Sequence, residues 1–219
     1  MPGFALLLDF DGTLADSVPL CLAAFRASLL RHTGRPYGDT EIASYFGATE
    51  EGMLQRMVPT AWEACVDGYI EEYERQHHLC PAPFTGLPEQ LVRLRALGVR
   101  LGVVTGKGPR STLVSLRKLG LADVFDDVRT GSPRGDVKAV RIAELVQVFG
   151  VDPRCAAYVG DFPGDVQAAR TAGVRALAAA WAPGAHADLL AKARPDALLR
   201  TPDELGRWVE AWISGPAIT

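Results

Sequence analysis

Two aspartates, Asp9 and Asp11, follow directly on an apolar run near the N-terminus and are separated by one residue. The run from Phe4 to Leu8 has the length and composition of a fully buried strand. Because side chains alternate along a strand, both carboxylates can point the same way where it ends. At ~4 Å and an effective dielectric of ~20 they repel by about 4 kcal/mol, which a divalent cation would offset. The pattern predicts a metal-assisted site; the alternative is a pair of solvated turn aspartates before a helix capped by Asp16 or Ser17.

The remaining elements indicate how such a site is positioned. Residues 16–85 have the pattern of consecutive helices, one of them opened by a capping box at residues 60–63, and a Pro-rich linker ends this block. Beyond it, helices alternate with short apolar strands, which is typical of a parallel sheet. The predicted fold class is therefore α/β: a doubly wound parallel, Rossmann-like sheet from residues 1–15 and 86–219, with an inserted all-helical cap domain at residues 16–85.

Further polar residues lie where predicted strands end. Thr105 follows the second strand, Lys138 begins a helix, and Asp161 and Asp165 follow a later strand. In a doubly wound sheet these ends converge on one crevice. If each residue is considered by itself, the alternative for Thr105 is an ordinary strand-to-helix turn, and the alternative for Lys138 is a solvated lysine at a helix start. Their order along the chain favours a shared site.

Two motifs resemble those of the haloacid dehalogenase-like phosphohydrolase superfamily: D-x-D-G-T-L-x-D-S, which begins at Asp9, and G-D-x-x-x-D, which begins at Gly160. The resemblance covers nearly the whole chain and is to the branch with a helical cap after the first motif, which includes phosphoglycolate phosphatases. It implies that Asp9 is the nucleophile that forms an aspartyl phosphate. It also implies that Asp11 is the general acid/base and a metal ligand through its backbone carbonyl.

The same resemblance assigns the other contacts. It implies that Thr105 and Lys138 are also catalytic residues. It further implies that the substrate phosphate is bound by Gly12, Thr13, Thr105, Gly106 and Lys138. Magnesium prefers oxygen ligands and would be held by Asp9, Asp11, Asp161 and Asp165, with Asp165 in an indirect role. The alternative for Asp165 is an acid at a helix N-terminus, which the helix dipole favours.

The chain departs from the family at two positions. Gly106 replaces the usual Asn after the phosphate-binding Thr, so only its backbone N–H can contact phosphate. Ala139 replaces the usual Pro after the lysine, although Asp136 can still cap the helix. Among the four lysines, Lys107 is a rival to Lys138 for the role beside the nucleophile, because it directly follows the phosphate loop; order along the chain favours Lys138.

Composition indicates which partners and which cellular compartment to expect. The net charge of −3 and the pI near 5.8 give no basic field that would attract nucleic acid. The four scattered cysteines show no metal-binding spacing and are expected to be reduced and mostly buried. The N-terminal apolar run is too short for a signal peptide or a membrane span. We therefore expect a cytoplasmic monomer or homodimer without a nucleic-acid or membrane partner.

The cap is expected to determine substrate specificity, because it closes over the phosphate. Its candidate contacts, each of which packing or solvation could also explain, are Arg35, Tyr45, Thr49 and Arg56. His77 and His78 are interpreted as a solvated pair, whereas His186 could face the crevice. The predicted function is a magnesium-dependent phosphatase of a small phosphorylated metabolite, with phosphoglycolate first by resemblance. A phosphosugar mutase and a non-catalytic phospho-accepting switch are the alternatives.

Overall fold

The apolar N-terminal run forms a strand at the centre of a parallel sheet. The computed structural model describes residues 3–215, whose six strands are β1 (Phe4–Leu8), β2 (Val99–Val104), β3 (Asp127–Arg129), β4 (Ala156–Gly160), β5 (Arg175–Ala179) and β6 (Ala197–Leu199). They lie in the order β3-β2-β1-β4-β5-β6. Leu8 pairs with Val103 on one side and Val159 on the other, so three strands end at the same level. This edge of the sheet carries the polar residues singled out from the sequence.

Four helices follow β1 and form the insertion. They are α1 (Val18–Thr33), α2 (Asp39–Ala43), α3 (Glu50–Met57) and α4 (Trp62–Arg75). The aromatic rings of Phe25, Tyr69 and Tyr73 are fully buried and pack against one another inside this unit. The helical insertion predicted from the sequence is confirmed, whereas its limits at residues 16 and 85 stay a prediction.

The remaining helices cover both faces of the sheet. They are α5 (Leu87–Ala96), α6 (Pro109–Lys118), α7 (Lys138–Phe149), α8 (Pro163–Thr171), α9 (Ala187–Lys192) and α10 (Pro202–Ile213). Leu6 and Leu8 share a hydrophobic cluster with buried residues of α5, α6 and α10. Ala5 and Leu7 belong to a second cluster with α7, α8 and α9. Alternate side chains of β1 thus contribute to the hydrophobic clusters on the two faces of the sheet. Helices on both faces of a parallel sheet confirm the doubly wound α/β class.

Two local predictions were wrong. Thr60 does not open a capping box: α4 begins at Trp62, and its N-cap residue, Ala61, has no capping side chain and instead donates its N–H to Val58 O in a tight turn. His77 is not solvated, because it lies in a short 3₁₀ turn with its ring buried, while His78 is exposed. The burial follows from contacts with α4 and α6 that local sequence does not encode.

The cysteines are free and buried, as predicted: Cys21, Cys65, Cys80 and Cys155. Within residues 3–215, no helix combines the length and the hydropathy that a bilayer span requires.

Candidate active site

Asp9 continues the line of β1 and is held on both carboxylate oxygens. Its backbone N–H donates to Val159 O at 2.8 Å, which extends the pairing with β4 by one residue. Phe10 N donates to Asp9 Oδ1 at 2.7 Å, and Lys138 Nζ lies 2.6 Å from Asp9 Oδ2. Lys138 is the first residue of α7, where Asp136 Oδ1 accepts its backbone N–H at 2.8 Å. The structure therefore brings Lys138 to Asp9, across 129 positions of the chain.

Asp165 and Asp161 complete an acidic cluster with Asp9 after β4. Asp165 lies in the first turn of α8; its Oδ2 accepts Phe162 N at 3.0 Å, and its Oδ1 lies 2.5 Å from Lys138 Nζ. One carboxylate oxygen each of Asp9, Asp161 and Asp165 can be chosen such that all lie within 4.8 Å of one another. A side chain at Gly12, whose φ is +75°, would collide with Asp161. The backbone turn after β1 therefore needs glycine for this close approach.

This cluster suits a hard divalent cation. Three carboxylates supply the oxygen ligands that magnesium prefers, and Lys138 alone does not balance their charge. Burial, together with the neighbouring carboxylates, raises the pKa of Asp161 to about 8. Burial also raises the pKa of Asp9 to about 7, despite the opposing effect of Lys138. Around both carboxylates negative charge exceeds the positive charge that Lys138 supplies, and a bound cation would offset that excess.

Asp11 faces a second lysine instead. Its Oδ1 accepts Ser17 Oγ at 2.5 Å and lies 3.2 Å from Lys107 Nζ. Ser17 precedes α1 but does not cap it with its side chain, because the hydroxyl is used on Asp11. Burial alone would lower the pKa of Lys107, but Asp11 and other acidic neighbours raise it well above its ordinary value. Lys107 therefore stays charged beside Asp11.

Lys107 also joins the core to the cap. Its Nζ lies 4.0 Å from Glu50 Oε1 and 3.3 Å from Cys21 Sγ, and its side chain is only 2% exposed. Glu50 begins α3, yet it is buried, and its carboxylate accepts Gly108 N and Ser111 Oγ, each at 2.5 Å. Glu50 was not among the site residues predicted from the sequence, because an acid in the first turn of a helix is ordinarily solvated.

The phosphate loop predicted after β2 lies beside these residues. Thr105 is buried; its N–H donates to Arg129 O at 3.0 Å, and its Oγ1 accepts Lys107 N at 3.2 Å. Thr13, in the turn after β1, donates from Oγ1 to Asp161 Oδ1 at 3.3 Å. A side chain at Gly131 would collide with Gly106 O, so this loop packs tightly against its neighbour.

A cavity of about 770 Å³ between the strand ends and the cap contains the site. Asp9, Asp11, Thr105, Gly106, Lys138, Asp161 and Asp165 all line it, and so do Lys107, Glu50 and His186. The structure thus places His186 at the crevice, as the sequence suggested. The cap candidates lie elsewhere: the side chain of Arg35 pairs with Glu41, that of Arg56 bonds to the backbone oxygens of Gly52 and Tyr45, and Thr49 is buried beside the wall.

Comparison with known proteins agrees with this geometry. A family model for haloacid dehalogenase-like hydrolases matches residues 6–179. Phosphoglycolate phosphatase of Synechococcus elongatus is 31% identical over 204 residues, which are 92% of this chain and 94% of that protein. Pyrophosphatase PpaX of Bacillus pumilus is 28% identical over 206 residues, which are 91% of this chain and 93% of that protein.

Similar solved structures show the same fold. CbbY from Rhodobacter sphaeroides, crystallised in complex with phosphate, superposes with a TM-score of 0.78 at 21% identity. The superposition covers 94% of this chain and 97% of that one. This likeness supports the arrangement of sheet and cap.

Proposed function

The chain belongs to the haloacid dehalogenase-like hydrolases and is a phosphatase of that family; we propose that it hydrolyses a small phosphorylated metabolite through an aspartyl phosphate, with magnesium as cofactor. The observation that carries this proposal is the position of Asp9. Its carboxylate directly follows the central strand, inside an acidic cluster and beside a half-buried lysine.

In the first step, one carboxylate oxygen of Asp9 attacks the substrate phosphorus, and the bond from phosphorus to the leaving oxygen breaks. The hydrogen bond from Phe10 N and the ion pair with Lys138 orient the Asp9 carboxylate for this attack. Lys138 also offsets negative charge that the nucleophile and the phosphoryl group bring together.

Asp11 supplies and then recovers the proton. In the first step it protonates the leaving oxygen; in the second it takes a proton from the water that attacks phosphorus, and Asp9 is released. Ser17 and Lys107 hold the Asp11 carboxylate from two directions. Asp11 thus has partners different from those of Asp9, which suits its different task.

Asp9, Asp161 and Asp165, with the backbone carbonyl of Asp11, would hold the magnesium ion. When bound, magnesium would neutralise charge on the phosphoryl oxygens during transfer. Gly12, Thr13, Thr105 and Gly106 would bind the phosphate, with Gly106 donating only its backbone N–H. The cap covers the cavity and limits access of bulk water to the intermediate.

The names of the relatives make phosphoglycolate and pyrophosphate the first compounds to assay. We also propose a cytoplasmic location, which the four buried, free thiols support, with a monomer or homodimer as the assembly.

A panel of phosphate esters with magnesium, read as released phosphate, tests the proposal. We expect turnover that a chelator abolishes and that Asp9→Asn removes. Magnesium-independent hydrolysis, or unchanged turnover by Asp9→Asn, would contradict it. A requirement for a bisphosphate activator would instead identify a phosphosugar mutase, and an aspartyl phosphate that persists for minutes would identify a phospho-accepting switch.

A further inference from the structure

We propose that the leaving group of the substrate is uncharged and presents apolar surface, so that phosphorylated compounds with an anionic leaving group, phosphoglycolate and pyrophosphate among them, are poor substrates. This inference rests on the proposed phosphatase function and specifies which substrates the same cavity accepts. It follows from the charge and the polarity of the cavity wall, and above all from Glu50.

The charge of the wall is the first argument. Two lysines line the cavity, Lys107 and Lys138, against six carboxylates: Asp9, Asp11, Glu50, Asp136, Asp161 and Asp165. With Asp11 protonated for the first step and a divalent cation bound, one negative charge remains in excess, and a charge on the exposed His186 would at most cancel that excess. A second anion on the substrate would therefore meet repulsion.

Neither lysine is available to a second anion. Lys138 Nζ lies 2.6 Å from Asp9 and 2.5 Å from Asp165. Lys107 Nζ lies 3.2 Å from Asp11 and 4.0 Å from Glu50, beneath the cap. To bind a carboxylate or a second phosphate, either lysine would have to leave a buried partner, which is costly.

Glu50 is the specificity-determining residue in this inference. It is the acid that the cap itself contributes to the wall, and hydrogen bonds from Gly108 N and Ser111 Oγ, both at 2.5 Å, hold it in place. It therefore presents fixed negative charge on the side of the cavity from which the cap contacts the leaving group. A cationic residue at this position would favour an anionic leaving group, and Glu50 disfavours one.

Most of the remaining cap wall is apolar. Besides Cys21, Gly47 and Tyr69, it is formed by Val18, Phe25, Ala43, Phe46, Ala48 and Met53. Phe46 is 46% exposed, and Phe162, which lines the cavity from the core side, is 67% exposed. Large apolar side chains left open at a cavity bury their surface when an apolar group binds between them. The wall thus fits an alkyl or aromatic leaving group.

A matched pair of esters tests the inference: phosphoglycolate and its carboxamide, which differ in one charge. With magnesium we expect kcat/KM to be about tenfold or more higher for the carboxamide. Calorimetric titration of Asp9→Asn protein with the same pair should show tighter binding of the carboxamide, which measures affinity apart from turnover. Higher kcat/KM for phosphoglycolate would overturn the inference and leave the phosphatase function intact.

A matched pair of variants assigns the effect to Glu50. Glu50→Gln removes the charge but keeps one acceptor oxygen for Gly108 N–H, and its amide NH2 can donate to the Ser111 hydroxyl. The preference for the carboxamide should therefore shrink severalfold. Glu63→Gln removes a charge from an exposed position of the same cap and should leave the preference unchanged. An unchanged preference in folded Glu50→Gln protein would overturn the role of Glu50. Failure of the wild-type protein to hydrolyse either ester, or any ester of the panel, would overturn the phosphatase function and this inference with it.

Discussion

Lys107 Nζ lies 3.2 Å from Asp11 Oδ1, although 96 positions of the chain separate the two residues. Lys138 makes the matching contact with Asp9, so each aspartate of the first motif has its own lysine. The order of residues along the chain suggested a choice between the two lysines, whereas the structure uses both. Two carboxylates that would otherwise repel each other are thereby held in different electrostatic surroundings, which suits the roles proposed for them, attack for Asp9 and proton transfer for Asp11.

Lys107→Met should weaken both stability and activity. The substitution leaves Asp11 and Glu50 without their buried cation, so the free energy of unfolding should fall by about 3–5 kcal/mol. Turnover should fall by about tenfold or more, because the acid/base loses a positioning partner. Chemical denaturation and phosphate release measure the two effects. Lys118→Met is the control, since Lys118 is about half exposed, and it should change neither quantity appreciably.

Asp9→Asn should abolish turnover without unfolding the protein. Loss of a nucleophile lowers kcat by about 10³-fold or more. Asparagine has nearly the same shape and can still accept the Phe10 N–H, so circular dichroism and the melting temperature should stay close to those of the wild type. Residual turnover within tenfold of the wild type would contradict the role of Asp9.

Magnesium should stabilise the protein as well as activate it. Ions that bind the acidic cluster in the folded state raise the melting temperature by mass action. Asp161→Asn removes one of the clustered carboxylates and should diminish both the shift in melting temperature and the activity at low magnesium concentration. Asp188→Asn, at an exposed position, should leave both responses intact. A magnesium response equal to that of the wild type in Asp161→Asn protein would exclude Asp161 from the metal site.

Gly12→Ala should lower activity by much more than the backbone strain at a positive φ can explain. Gly12 has a φ of +75°, and an added methyl group would also displace the Asp161 carboxylate. Gly34→Ala is a matched control, because Gly34 has a φ of +68° with open space around it. The control should lose only about 1 kcal/mol of stability and no activity. Equal effects of the two substitutions on turnover would contradict a close contact between Gly12 and Asp161.

Buried His77 should make stability fall at mildly acidic pH. Burial, with a smaller effect of Lys118 and Lys107, lowers its pKa from the ordinary 6.5; its ring faces Tyr73 and Ser115. Because the unfolded chain binds the proton more readily, this contribution to stability is complete above about pH 6.5 and is lost as the pH falls. Denaturation at several pH values should show a shallower loss for His77→Gln than for the wild type. His78→Gln, at the exposed neighbouring position, should retain the wild-type slope.

The sequence alone was sufficient for the family, the fold class and the ends of the central strands. Local patterns are enough for this, because a short apolar run between turn residues specifies a buried strand, and its alternation specifies two covered faces. The first motif also indicated that Asp9 follows β1 directly, and the structure shows it there. The same reasoning was wrong at Thr60, where the turn after Val58 moved the helix start to Trp62.

Only the tertiary structure decided which residues face one another. Lys107 and Lys138 were equal in type, and their partners depend on how α6 and α7 pack against the sheet. Glu50 and His77 are of residue types that usually lie at the surface. Both are nevertheless buried, because core and cap segments close over them. Contacts between residues far apart in the chain depend on the packing of whole elements, which local sequence patterns do not specify.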